Sequence, residues 1–199
     1  NEAIGTYSGN PVVHNTGALL SAPSFIKSLK TKNRFSATSI DQLPHQFAAQ
    51  LMYGHQLQIP IPDIDRTEYL IILGANPLVS NGSLLTAPNI KKRLQDIQER
   101  GGKIVNIDPR FTETSDKSDQ HIYIQPGTDV FLLLGMLRIL VEVELIELGR
   151  FKNDIHGLED LISMSREFSI DELAAITGVQ NNTMRVLTEE FATAKKAVL

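Results

Sequence analysis

The segment Tyr69–Leu73 is an uninterrupted apolar run, and it constrains the fold more than any other part of the sequence. A strand in the middle of a parallel sheet is buried on both faces, so its sequence is continuously apolar rather than alternating. The turn-forming residues Gly74-Ala75-Asn76-Pro77 follow directly. We therefore expect a buried parallel strand that ends at Leu73.

Helical and extended patterns alternate after this strand. The order is a helix, two strands and a strongly apolar helix, and it predicts an α/β fold with a Rossmann-like, open, mostly parallel sheet and flanking helices. We place these elements at a helix from Pro88 to the Gly101-Gly102 pair, strands Lys103–Ile107 and His121–Gln125, and a helix Phe131–Leu148.

The flanking regions are mainly helical in pattern. We expect helices at Thr16–Lys30, at Leu43–Tyr53 and over much of 154–194, with a linker at Gln58–Asp65. Ser169 and Glu172 have capping-box spacing, Asn181 or Asn182 could cap the last helix, and Lys195–Leu199 could begin a strand. These patterns divide the chain into a first domain at 1–60, a Rossmann-like domain at 61–148 and a helical segment at 149–199 that returns to the adjoining domain.

Composition excludes several kinds of site. The sequence has no cysteine, which rules out disulfides, thiolate-bound zinc, cysteine-ligated iron–sulfur clusters and a cysteine nucleophile within this chain. A net charge of −4 gives no reason to expect a nucleic-acid partner. The apolar stretch near Val130–Leu145 is interrupted by Arg138 and Glu142 and is too short to span a bilayer, so we expect no membrane partner.

Three loops follow the predicted strands, at Gly74–Ser80, Asp108–Thr114 and Pro126–Asp129. Ligands of open α/β sheets bind outside the carboxyl ends of the strands. Glycine permits close backbone approach, and carboxylates accept hydrogen bonds from a ribose diol or a guanine edge. These loops predict a nucleotide site, although an NAD site is disfavoured because the G-x-G-x-x-G fingerprint is missing. Such residues also serve as turn formers and helix caps, which is the structural alternative.

The loops carry a more specific resemblance. The stretches LGANPLVS at 73–80, GGKIVNIDPRFTETSDKSDQHIYIQPGTD at 101–129 and the following LLLGML are, in this order, similar to the molybdopterin oxidoreductase superfamily. That superfamily includes formate dehydrogenases, nitrate reductases and dimethyl sulfoxide reductase. The resemblance implies an internal piece of an enzyme that holds molybdenum or tungsten between two molybdopterin guanine dinucleotides. In that piece, 1–60 would be a partial pterin-side domain and 61–148 the half-site domain for one guanine dinucleotide.

The resemblance also implies roles for the loop residues. The first loop would approach the pyrophosphate and pterin side of the cofactor, the second would lie along the guanosine ribose, and the third would meet the guanine edge. The implied cofactor-binding residues are Gly74, Ala75, Asn76, Pro77 and Ser80 in the first loop, Asp108, Pro109 and Arg110 in the second, and Gly127, Thr128 and Asp129 in the third.

The metal ligand implied by the resemblance is Asp41, because Pro44 and Gly54 follow it at the spacings found after the ligand in formate dehydrogenase-like sequences. A carboxylate is a reasonable hard ligand for an oxidised molybdenum centre. The structural alternative is that Asp41 caps the helix that begins near Leu43. Ser39 is the alternative ligand if the alignment slips.

Three further residues are candidates near the cofactor. Asn10, in the Gly9-Asn10-Pro11 turn, could reach the cofactor, and His14 is the acid–base candidate, although a histidine near a helix start is often structural. His45 lies close enough in sequence to Asp41 to support it.

The resemblance implies partners outside this chain. The iron–sulfur segment, the second dinucleotide site and the domain that completes the cofactor grip are not in these residues, so we expect the isolated chain to be folded, catalytically silent and largely free of cofactor. The expected partners are the rest of the parent polypeptide and an electron-transfer subunit, in the cytoplasm or alternatively the periplasm. The competing functions are a non-catalytic nucleotide-binding α/β module and a scaffold domain.

Overall fold

The computed structural model describes residues 2–9, 12, 15–82, 85 and 87–199, and it describes Ser39 by its backbone alone. The chain separates into two compact units, Asn1–Pro60 and Ile61–Leu199, which we call the N-terminal unit and the C-terminal unit.

The N-terminal unit combines two short parallel strands with two helices. Its elements are β1 (Thr6–Ser8), α1 (Thr16–Ser28), β2 (Arg34–Ser36), a 3-10 turn (Ala37–Ser39) and α2 (Leu43–Tyr53). Asn15 caps α1 by accepting a hydrogen bond from the Ala18 N–H at 2.9 Å. Gly54 ends α2 in the left-handed conformation, with φ of 77°. Both helices were predicted, and both are confirmed.

The N-terminal unit buries few of its side chains. Among its described residues, only Thr31 and Ala49 are buried. Large apolar side chains of α1 and α2 are instead exposed, including Leu20 at 77% and Phe47 at 64%. This unit therefore has no hydrophobic core of its own within the described residues.

The C-terminal unit is built on a parallel sheet whose described strands run in the order β5-β4-β3-β6. The strands are β3 (Tyr69–Leu73), β4 (Lys103–Ile107), β5 (Gln120–Ile122) and β6 (Ala197–Val198). The helices are α3 (Pro77–Ser80), α4 (Ile90–Glu99), α5 (Glu113–Lys117), α6 (Asp129–Glu142), α7 (Leu158–Ser165), α8 (Ile170–Thr177) and α9 (Asn181–Thr193), with a 3-10 turn at Gly149–Phe151. The predicted α/β fold with parallel strands and flanking helices is confirmed.

Helices cover both faces of this sheet. Successive residues of a strand point to opposite faces, and β3 follows this rule. Leu70 and Ile72 pack with Ile104 and the apolar face of α4 in one core. Tyr69 and Ile71 pack in a second core, with Leu132 and Ile139 of α6, Leu173 of α8, and Met184 and Leu187 of α9. The continuous apolar run that predicted β3 is explained by burial on both sides.

Several predicted element ends were wrong. The strand predicted at His121–Gln125 spans Gln120–Ile122, and the helix predicted from Pro88 begins at Ile90. The helix predicted at Phe131–Leu148 ends at Glu142, because Glu144 adopts a left-handed φ of 56° and the Leu145 N–H donates to the Leu140 carbonyl at 3.0 Å, as in a Schellman motif. The last helix is preceded by Gln180 without a side-chain cap, not capped by Asn181 or Asn182. The Asn181 amide instead donates to Asp171 at 2.6 Å.

The remaining segments complete the C-terminal unit. Helices α7, α8 and α9 contact α6, and the predicted capping box at Ser169 and Glu172 is present. None of the helices in the described part of the chain is long and apolar enough to cross a membrane. The functional roles predicted for the segments 1–60, 61–148 and 149–199 stay predictions.

Candidate functional site

The loops that follow β3, β4 and β5 lie at the same end of the sheet, because all three strands are parallel. We call this end the carboxyl edge and define it by residues 74–80, 108–114 and 123–129. It holds every cofactor-binding residue predicted in the C-terminal unit. Backbone hydrogen bonds join the strand ends, from the Gly74 N–H to the Ile107 carbonyl at 2.8 Å and from the Asp108 N–H to the Ile122 carbonyl at 3.2 Å.

The backbone of the first loop is exposed at Gly74. This glycine has a left-handed φ of 66°, and no atom lies within 4 Å of the position that a Cβ would occupy. A ligand can therefore approach this backbone closely. Pro77 is buried and begins α3, whereas Ala75 and Ser80 are exposed.

The Asn76 side chain ties the first loop to α5. Its Nδ2 donates to Glu113 Oε2 at 2.9 Å, and its Oδ1 accepts from Thr114 Oγ1 at 2.7 Å. The hydrogen bond from Asn76 is the largest cause that lowers the pKa of Glu113. Because both ends of the Asn76 amide are used within the protein, this residue fixes the position of the loop.

The second loop presents a partly satisfied carboxylate. Asp108 is only 9% exposed, and its Oδ1 accepts a hydrogen bond from the Arg110 N–H at 2.8 Å. Within the described chain, no donor contacts the other carboxylate oxygen, which leaves it able to accept from a hydroxyl. Pro109 and Arg110 are exposed beside it.

A buried polar network that we did not predict supports the second loop. Asn106 of β4 is fully buried, and its Oδ1 accepts from Ser115 Oγ at 2.6 Å. Ser115 and Thr112 form a capping box at the start of α5, with bonds of 2.9 and 3.1 Å. An Asn inside the apolar strand Lys103–Ile107 was the available signal, because a buried polar side chain requires a partner.

The third loop ends in a carboxylate at a helix start. Gly127 has φ of 78° with open space around its Cβ position, and Thr128 Oγ1 donates to the Gln125 carbonyl at 2.7 Å. Asp129 is half-buried and begins α6, where the helix dipole favours a negative charge. Its carboxylate has no hydrogen-bond or ion-pair partner among the described residues, so it is available to a ligand.

His121 is a second feature that we did not predict. Its ring lies edge-to-face against Phe111, with centroids 5.2 Å apart, and against Tyr123, with centroids 4.4 Å apart. Burial lowers the pKa of His121, and the negative charge of Asp108 partly opposes this effect. The imidazole is thus held neutral at about pH 7, next to one of the predicted ligand-binding carboxylates.

An open cleft of about 680 Å³ borders the first two loops on the side of α4. Its lining mixes apolar, basic and acidic side chains, among them Leu78, Asn89, Lys91, Phe111, Glu113 and Lys117. The cleft shares Phe111 with the ring cluster around His121, whereas Asp108 and Asp129 do not line it.

The predicted metal-binding residues lie in the N-terminal unit. Asp41 is exposed, and its N–H donates to the Ala37 carbonyl at 2.9 Å. The capping alternative was wrong, because Gln42 is the residue that precedes α2 and it makes no side-chain cap. His45 is exposed, and the backbone of Ser39 closes the 3-10 turn. Asn10 and His14 lie outside the described residues.

No group of three or more His, Asp or Glu side chains that could hold a metal ion occurs within the described parts of the chain. Asp41 therefore stands as a single carboxylate, and its assignment as metal ligand stays a prediction.

The sequence matches a known protein family over most of its length. The sequence profile described as "Molybdopterin oxidoreductase" matches residues 4–147. The chain is 28% identical over 137 residues to the F420-dependent formate dehydrogenase subunit alpha of Methanocaldococcus jannaschii, covering 69% of this chain and 20% of that protein. It is 29% identical over 133 residues to the assimilatory nitrate reductase catalytic subunit of Bacillus subtilis, covering 67% and 18%.

The fold is also similar to a solved structure. Acetylene hydratase from Pelobacter acetylenicus superposes with a TM-score of 0.70 at 24% identity, over 89% of this chain and 23% of that one. At this identity the likeness shows a shared fold. The chain spans about a fifth of the length of the curated relatives that it matches.

Proposed function

This chain belongs to the molybdopterin oxidoreductase family, and we propose that its carboxyl edge binds one of the two guanine dinucleotides of a bis-molybdopterin guanine dinucleotide cofactor. The observation that carries the proposal is the arrangement of Gly74, Asp108 and Asp129. These residues lie at the ends of three parallel strands, where open α/β sheets bind their ligands.

The donors and acceptors at this edge suit the three parts of such a ligand. The open backbone at Gly74 allows close approach of a pyrophosphate. The spare oxygen of Asp108 can accept from a ribose hydroxyl, and the unpaired carboxylate of Asp129 can accept two N–H groups from a guanine edge. Asn76 and Thr128 hold the loops in place through their own hydrogen bonds.

The bound metal centre would supply two-electron redox chemistry in the intact enzyme. We propose Asp41 as a protein ligand to molybdenum or tungsten, because it is an exposed hard carboxylate in the position that the family resemblance assigns. The two curated relatives above are named for formate and nitrate chemistry, so the proposal covers the cofactor class and not a particular substrate. An electron-transfer subunit would accept or deliver the electrons.

We propose further that the rest of a longer family polypeptide covers the N-terminal unit. Leu43, Phe47 and Leu51 follow helical spacing along α2 and are 47–71% exposed. An apolar stripe of this kind is typical of an interaction surface. The relatives are several times longer than this chain, so the matching polypeptide is the occupant that we favour over a second copy.

Light scattering after gel filtration tests this occupant. We expect the 199-residue chain to elute as a monomer that binds an apolar fluorescent dye, and we expect Phe47→Ser to reduce dye binding. A stable dimer that Phe47→Ser dissociates would contradict the proposal and identify a second copy as the occupant. Thr38→Ser, which removes no apolar ring, is the control.

We expect the isolated chain to be catalytically silent, because one half-site would leave much of a large cofactor in water. Metal analysis and pterin fluorescence of the purified chain test this expectation. One equivalent each of molybdenum and pterin per chain would contradict it.

Nucleotide titration tests the guanine site directly. We expect GDP to bind the chain more tightly than ADP and Asp129→Ala to abolish that preference, since the carboxylate reads the guanine N–H groups. Asp154→Ala, at an exposed aspartate outside the carboxyl edge, is the matched control. Equal binding of GDP and ADP would favour a general nucleotide-binding module, and indifference to both would favour a scaffold.

A further inference from the structure

The structure leaves one pair of polar atoms without an explanation. Both ring nitrogens of His121 are buried, and within the described residues they are the only buried side-chain nitrogen or oxygen atoms that lack a hydrogen-bond partner. A neutral imidazole carries one donor and one acceptor. Because buried polar groups in native proteins are nearly always paired, these two nitrogens are suited to hydrogen-bond a ligand.

The neighbours of His121 within the sheet are already engaged. His121 pairs in register with Asn106 on β4. The Asn106 side chain, however, accepts from Ser115 at 2.6 Å and directs its Nδ2 to the Ala75 carbonyl at 3.5 Å. The Asn106 main chain also acts on the imidazole, but no atom of the described sheet is in hydrogen-bonding geometry with either ring nitrogen.

Two aromatic rings shield the imidazole from solvent. Phe111 and Tyr123 contact its ring edge-to-face, and they are themselves 54% and 60% exposed. An exposed ring can change rotamer with little loss of packing. Because the His121 nitrogens are buried, a ligand would reach them only after one of these rings changes rotamer.

Asp108 lies beside the end of β5, because its N–H donates to the carbonyl of Ile122, the residue after His121, at 3.2 Å. Its negative charge acts on the imidazole, and one of its oxygens is already held by the Arg110 N–H. A carboxylate only accepts hydrogen bonds, whereas a neutral imidazole can also donate one. A vicinal diol has two hydroxyls that each donate and accept, so this pair of side chains is complementary to a ribose.

We propose that His121 determines the specificity of the nucleotide site for ribose, by hydrogen-bonding one hydroxyl of the diol while Asp108 holds the other. This inference rests on the proposed function, in which Asp108 lies along the ribose of the guanine nucleotide. It adds a residue of β5 to a site otherwise formed by the loops.

Binding of GDP and of its dideoxyribose analogue to the 199-residue chain tests this assignment. We expect the wild-type protein to prefer GDP, and His121→Ala to weaken GDP binding by about tenfold, the size of one lost hydrogen bond. The affinity for the dideoxy analogue should stay as in the wild type. His121→Gln, which retains an N–H donor, should recover part of the preference.

His156→Ala, at an exposed histidine outside the carboxyl edge, is the control and should keep the preference unchanged. If His121→Ala kept the full preference for ribose, or weakened both nucleotides equally as a purely structural defect would, the inference would be overturned while the guanine site stood. If GDP did not bind to the wild-type chain, both the proposed function and this inference would fall.

Discussion

The two units of this chain place similar apolar side chains in opposite environments. In the C-terminal unit, Leu132 and Ile97 are completely buried, whereas in the N-terminal unit Leu20 and Leu51 are more than 70% exposed. Both units contain helices with many apolar residues, but α1 buries none of its side chains and α2 buries only Ala49. The C-terminal unit provides two helical layers for its own sheet, while the N-terminal unit leaves the apolar side chains of α2 exposed.

The difference shows what a segment needs in order to bury its own apolar side chains. Burial of apolar surface is the main favourable contribution to folding, and it requires a second element to pack against. In the C-terminal unit, α4 packs on one face of the sheet and α6, α8 and α9 on the other. The N-terminal unit has two three-residue strands, which are too short to form such a platform.

The sharpest test of this contrast is a pair of identical substitutions. We expect Leu132→Ala, in α6, to reduce the free energy of unfolding by about 2–5 kcal/mol, because it leaves a cavity in a closed core. Leu51→Ala, in α2, should change it by less than about 0.5 kcal/mol, because this side chain is 71% exposed. Urea unfolding followed by circular dichroism measures both. A loss of similar size for Leu51→Ala would show that the stripe packs within this chain and would break the comparison.

A pair of glycine substitutions gives the next largest expected effect. A Cβ at Gly102 would lie 2.7 Å from the Ile97 side chain and 2.8 Å from the Glu68 carbonyl oxygen. We therefore expect Gly102→Ala to cost about 1–3 kcal/mol by overpacking. Gly54→Ala has open space and only a left-handed φ of 77° to accommodate, which costs about 1 kcal/mol within α2 and should leave the main melting transition in place. Thermal melts of the two variants decide the order, and equal shifts would argue against a tight helix–strand junction at Gly102.

The sequence predicted most of the C-terminal unit because its signals are local. The apolar runs of β3 and β4 and the turn residues after them mark strands whose ends match the structure. The end of α6 was missed because its left-handed residue is Glu144 rather than a glycine. Apolar residues also continue past it to Leu148, so the hydrophobic pattern runs beyond the helix.

The candidate site was predicted only in part, since some of it depends on which strands become neighbours. The loop residues could be assigned from their positions after strands and from the family resemblance. The ring cluster of Phe111, His121 and Tyr123 could not, because it joins residues from separate segments that the β4–β5 pairing brings together. The use of Asn76 as a tether to Glu113 is equally non-local.

Two helix caps, one in each unit, are expected to make smaller contributions to stability. Ser169 caps α8 in the C-terminal unit by accepting from the Glu172 N–H at 3.2 Å, and Asn15 caps α1 in the N-terminal unit. Ser169→Ala should lower the free energy of unfolding by about 1 kcal/mol. Asn15→Ala should leave the main urea transition in place and accelerate amide hydrogen exchange in the first turn of α1. A shift of the main transition by Asn15→Ala would mean that the two units unfold together.

The smallest expected effect is a dependence on pH that belongs to the C-terminal unit. Burial lowers the pKa of His121 in the folded protein, so the unfolded chain takes up a proton at a pH where the folded chain does not. Stability is therefore unaffected by this group above its ordinary pKa of about 6.5 and decreases as the pH falls below that value. We expect a loss below about 1 kcal/mol between roughly pH 7 and pH 5.5, a window above the ordinary range of carboxyl groups.

His121→Gln should remove that loss, and Tyr123→Phe, which keeps the ring packed against the imidazole, should retain it. Urea unfolding at the two pH values measures the difference for each variant. If the free energy of unfolding of His121→Gln depended on pH as strongly as that of the wild type, the dependence would belong to groups other than His121. The N-terminal unit buries no titratable side chain among its described residues. A pH dependence of the free energy of unfolding that is confined to the C-terminal unit would therefore distinguish the two units by proton uptake as well as by packing.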